Sequence, residues 1–117
     1  MKNQLFVNQS SEREGVYTPI VEQNIVLIRF ANYTRKNWNN DPSNLSQEQR
    51  FIACYVLQEY FALRQKDISQ LLHVSRITVY KDKNSATFMY KNLKSFQEKC
   101  NKLRDYIYYF SKYLTTV

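Results

Sequence analysis

Residues 66–83, KDISQLLHVSRITVYKDK, constrain this chain more than any other stretch, because their apolar spacing fits two short helices crossing at a tight turn. With Gln65 as the first position of a helix-turn-helix pattern, the sites that must be buried at the crossing fall on Ile68, Leu71, Leu72, Val74 and Val79, all of them aliphatic. Ser69 stands at the crossing point, where a small side chain is needed, and Ser75 is placed to N-cap the second helix. The outer face of that helix carries Arg76, Tyr80, Lys81 and Asn84, where a recognition helix meets base edges and phosphates. Two positions depart from the pattern. His73 occupies a turn site that is commonly glycine because the backbone there takes positive φ. Asp82 occupies a normally apolar site and must therefore reach the rim or cap something. The plainer alternative is an ordinary helical hairpin in an α-bundle.

A chain of 117 residues is long enough for one real core and too short for two. Its single glycine, Gly15, removes Walker loops, dinucleotide fingerprints and glycine-rich phosphate cradles, so nucleotide-driven chemistry is not expected. Cys54 and Cys100 lie far apart and His73 is the only histidine, which leaves zinc fingers and histidine triads without their parts. The cysteines read as buried, reduced thiols. Glu59 and Asp67 have no obvious catalytic partner, so no enzyme, cofactor or metal site is expected. No apolar stretch approaches the roughly twenty residues that span a bilayer, and no apolar leader opens the chain, so the expectation is a soluble, cytoplasmic protein without membrane contact.

Charge is uneven along the chain. Residues 1–46 hold five basic and four acidic side chains, and residues 47–117 hold twelve and six, so six of the seven net positive charges lie with the motif. Within residues 75–94, Arg76, Lys81, Lys83, Lys91 and Lys94 face only Asp82, a density suited to phosphate neutralisation. A charge run alone is as well explained by a solvated face; its coincidence with the outer side of a recognition helix turns the reading toward nucleic acid.

The rest of the chain reads as helices around one core. Residues 1–15 are polar and aperiodic and are expected to form a mobile arm, with a single helical domain over 16–117. Thr18 and Pro19 resemble a helix start, followed by Val21, Ile25, Leu27, Ile28 and Ala31 at helical spacing. The β-prone run IVLIRF also permits a strand, and helix is preferred because no partner strand is visible. NWNNDPSN, residues 37–44, is a loop with an Asp-Pro turn, and Trp38 within it is expected to anchor that loop on the core rather than bind a ligand. Ser46 and Gln49 form a capping-box pattern opening a central helix over about 47–62, with Phe51, Ile52, Tyr55, Val56, Leu57 and Phe61 as its apolar positions. Beyond the motif, Val79, Ala86, Met89, Leu93, Phe96, Cys100, Leu103, Ile107, Phe110 and Leu114 keep one stripe, divided between two helices with Ser95 as the N-cap of the last. Tyr106, Tyr108, Tyr109 and Tyr113 lie partly off that stripe and need a partner surface, either the first helix or a second copy in a homodimer.

The run RFIACYVLQEYFALRQKDISQLL, residues 50–72, resembles without gaps the C-terminal DNA-binding domain of the bacterial replication initiator DnaA, a helical module of Trp repressor-like fold. Arg50, Ile52, Ala53, Tyr55 and Glu59 match that domain's Arg-x-Ile-Ala-x-Tyr run and its following Glu, and Thr78-Val79 matches its Thr-Val pair. The likeness extends over about residues 50–103. It implies an all-α domain of five to six helices that binds double-stranded DNA, with Arg50 contacting backbone and Thr78 close to bases. The departures lie in the turn: the family carries a Gly-Gly-Arg-Asp-His-Thr-Thr type sequence, and this chain has the shorter HVSRIT of residues 73–78, so a different or weaker sequence preference is expected.

These lines give one expectation: a stand-alone, non-enzymatic regulatory or replication-associated protein with its helix-turn-helix at about residues 65–84. Ser75, Arg76, Thr78, Tyr80, Lys81, Lys83 and Asn84 are expected to approach the major groove while Arg50, Arg64 and Lys66 clamp phosphates. The alternative is a protein-interaction module of the same fold that docks a partner on its tyrosine-rich last helix.

Overall fold

A computed structural model describes residues 21–110. Five α-helices follow in order, α1 (Gln23–Asn37), α2 (Gln47–Glu59), α3 (Gln65–Leu72), α4 (Arg76–Asn92) and α5 (Lys94–Tyr108), with a short 3-10 turn at Pro42–Asn44 and no strand among the described residues. The arm expected over residues 1–15, the Thr18-Pro19 start, Tyr113 and Leu114 lie outside them.

The core is built around α2, where six consecutive residues, 52–57, are buried. A helix apolar on every side must be wrapped by others, and α2 packs against α3, α4 and α5 while α1 covers α5. Ser46 starts α2 as its sequence implies: the Gln49 N–H donates to Ser46 Oγ at 3.2 Å, and the Ser46 N–H donates to Gln49 Oε1 at 3.0 Å. The helix stops at Glu59, short of the expected 62, because Ala62 turns left-handed (φ 56) and the Leu63 N–H closes back on Leu57 O at 3.0 Å.

Helix wins over strand for the IVLIRF run, but the buried face differs from the expected one. Val26, Phe30, Tyr33 and Thr34 point inward, and Ile25 and Ile28 are exposed. The aromatic stripe carries more area: Tyr33 meets Trp38 and Tyr106 edge-on, with ring centroids 5.4 and 5.1 Å apart. Trp38 also meets Phe30, so it anchors the 37–44 loop as expected. Thr34 is tolerated inside because its hydroxyl donates to Ala31 O at 3.0 Å. No side chain caps α1, whose first helical residue is Gln23.

α4 and α5 share the core along the expected stripe, but they part at Leu93, not Ser95. Leu93 takes an extended conformation (φ −125, ψ 111) and is exposed, and the Gln97 side chain reaches back to donate to Tyr90 O at 2.6 Å, satisfying a carbonyl near the end of α4. Rings tie the layers together. Tyr55 stacks on Tyr90 at 4.5 Å, and Tyr90 donates to Asn101 Oδ1 at 3.3 Å, which leaves Tyr60 as the donor in its 3.0 Å contact with Tyr90.

Cys54 and Cys100 are free and buried, and burial pushes each thiol up from an ordinary 9.0 to about 12. The folded state thus holds these protons where the unfolded chain would release them, so stability is undiminished by them below about pH 9 and declines as pH rises toward 12. Iodoacetamide at about pH 8 is expected to leave both thiols intact in the folded chain and to alkylate both in urea. Modification of the folded chain at the unfolded rate would contradict their burial.

Candidate nucleic-acid interface

The helix-turn-helix forms where the spacing places it. Ile68, Leu72 and Val79 are buried at the crossing, with Leu71 and Val74 packed at its edge. α3 ends at His73, which takes the left-handed conformation (φ 57, ψ 44) expected of the usual glycine site. The Val74 N–H donates to Ser69 O, and the Ser69 hydroxyl donates to Val74 O at 2.5 Å, so the small residue at the crossing also braces the turn. Ser75 caps α4, accepting from the Thr78 N–H at 3.1 Å, and its hydroxyl lies 3.0 Å from Thr78 Oγ1. His73→Gly removes the left-handed penalty of a Cβ and is expected to stabilise the domain by about 0.5–1 kcal/mol, read as a higher urea midpoint with an unchanged slope. A lower midpoint would mean that the imidazole holds the turn.

Asp82 neither reaches the rim nor caps a helix. It is buried on the inner side of α4, and Arg50 of α2 donates Nε–H to its Oδ2 at 2.9 Å, with 24% and 8% of the two side chains exposed. An ion pair thus fills the apolar position of the pattern, and Arg50 is drawn into the α2–α4 junction, away from the outer face. Lys83 likewise turns back, 3.4 Å from Glu59. Arg64 is 73% exposed and bound through its guanidinium to Asp67, whose carboxyl it holds below the usual carboxylate range.

The remaining expected residues lie on α3, at the turn and in the first nine residues of α4. Lys66, Ser75, Arg76, Tyr80, Lys81 and Asn84 are exposed, and Thr78 is half-buried beside them. Among the described residues the acids between positions 50 and 93 are engaged, Asp82 with Arg50, Glu59 with Lys83 and Asp67 with Arg64, and Lys66, Arg76 and Lys81 have no carboxylate within ion-pairing distance. The N-terminus of α4, capped by Ser75 at the Thr78 N–H, sets its positive dipole end beside exposed Arg76. Sequence reasoning missed two members of this face, Ile77 and Phe88, exposed by 67% and 68%. Their signal was phase: both lie opposite Val79, Asp82 and Ala86, the buried residues of α4.

The tyrosine cluster is largely committed inside the chain. Tyr106 is buried against Tyr33, Tyr108 packs on Phe61 at 4.8 Å and donates to Tyr60 O, and Tyr109 is partly exposed. Arg29 closes the end of α5, donating to Ile107 O at 2.6 Å with its guanidinium 5.2 Å from the Phe110 ring centre. An open cleft of about 300 Å³ lies among residues of α1, α2 and α5, and Glu48 in its lining is paired with Lys99 at 2.9 Å. No helix among the described residues is long and apolar enough to cross a membrane. Compared with protein-family models, with curated proteins and with solved structures, the chain gives no match.

Proposed function

We propose that this protein binds double-stranded DNA through α3, its turn and α4, with the first half of α4 in the major groove. The observation that carries this reading is the set of cations Lys66, Arg76 and Lys81, exposed on α3 and the first two turns of α4 with no carboxylate within ion-pairing distance among the described residues. Phosphates are the ligand that such a surface neutralises best, since each contact releases condensed counterions. The resemblance to the replication initiator's C-terminal domain supports the same reading, as does the order of elements from α2 to α5, and it points to a regulatory or replication-associated role for a DNA-binding unit working alone. The test is fluorescence anisotropy on mixed-sequence duplexes across salt concentrations: affinity is expected to fall steeply with salt. Absence of saturable, salt-sensitive binding would overturn the reading. A protein-interaction module is the second reading, favoured by the exposure of Phe88 on α4, and it requires that absence.

A further inference from the structure

The buried residues of α4, Val79, Asp82 and Ala86, define its inward direction, and the helical period then sets Ile77, Lys81, Asn84 and Phe88 in line on the opposite side. Ile77 stands second in the helix and is 67% exposed. A β-branched aliphatic is a poor choice for the solvated first turn of a helix: it has low helix propensity and leaves apolar surface in water. The core closes without it, since Val79 of the same turn is fully buried. Its neighbour Arg76 and, one turn on, Lys81 are cations without carboxylate partners among the described residues, so what covers Ile77 must be anionic around an apolar spot. The major groove offers that combination, because the thymine 5-methyl group is an apolar feature on base edges otherwise lined by hydrogen-bonding groups and flanked by phosphates. Asn84 lies about 10 Å further along the same line at 1.5 Å per residue, within the roughly 12 Å width of the groove, and a carboxamide there matches the N6 and N7 of adenine.

We infer that α4 reads A·T base pairs, with Ile77 packing on a thymine 5-methyl group and Asn84 on adenine. The inference rests on the DNA-binding reading above and names the class of site that it recognises. Duplexes retained by the full chain from a random pool are expected to share A·T pairs at the centre of the bound site. Replacing those thymines by deoxyuridine, which lacks only the methyl group, is expected to weaken binding about fourfold for each methyl packed on Ile77. Ile77→Ala should bind the thymine and deoxyuridine duplexes equally while keeping its salt dependence, and as an exposed substitution it should keep the helical circular dichroism. Equal affinity of the unaltered protein for the two duplexes, or retained duplexes without shared A·T pairs, would overturn the inference and leave DNA binding standing. A pool from which no duplex is retained would overturn both.

Discussion

Replacing Arg76 and Lys81 together by alanine is expected to lower duplex affinity by about 2–4 kcal/mol, roughly thirtyfold to a thousandfold, and to flatten its salt dependence. Each phosphate contact contributes about 0.9 to the slope of log affinity against log salt, so losing both should reduce that slope by nearly two. Both side chains are exposed and unpaired among the described residues, so the variant should unfold at the same temperature as the parent. Anisotropy titrations between about 50 and 200 mM salt separate this outcome from a general loss of charge, because Lys99→Ala, on α5 and paired with Glu48, should leave the slope unchanged. An unaltered slope in the double variant would show that α4 is not the element facing phosphate.

Asp82→Ala is expected to have the largest effect on stability. The carboxylate is 8% exposed and its partner guanidinium 24%, so its removal strands a positive charge at the junction of α2 and α4. Breaking a buried pair from one side costs about 3–5 kcal/mol, and the partial exposure of Arg50 places this case near the lower end of that range. For a domain of this size the loss should depress the melting temperature by about 10–25 °C. Arg50→Met with Asp82→Leu removes both charges and should recover most of the stability, since well-packed apolar residues commonly replace a buried pair without loss. Urea unfolding of the two single variants and the double closes the cycle. An Asp82→Ala variant within about 0.5 kcal/mol of the parent would mean that water already solvates the pair.

Much of this organisation was legible in the residues because it depends on neighbours within one or two helical turns. The Ser46 and Gln49 box, the left-handed His73, the Ser75 cap and the aliphatic crossing of α3 with α4 each follow from hydrogen bonding or sterics over a few positions. The inward face of α1 was less legible, because that helix offers two apolar stripes and the choice between them depends on Trp38 and Tyr106. The break at Leu93 carries neither glycine nor proline and is held partly by Gln97 reaching back to Tyr90, a contact with no local signature.

The sequence by itself therefore determined the start of α2 and that a helix-turn-helix joins α3 and α4, since backbone hydrogen bonds and caps there close within a few residues. Only the tertiary structure decided which cations remain available to a ligand. Arg50 meets Asp82 across 32 residues of sequence and Lys83 meets Glu59 on another helix, so charges that read alike in the chain divide into internal ion pairs and exposed cations, Lys66, Arg76 and Lys81 among them. The physical reason is burial: a carboxylate enclosed on the inner side of α4 must draw a partner inward, and that demand exists only once the helices have packed.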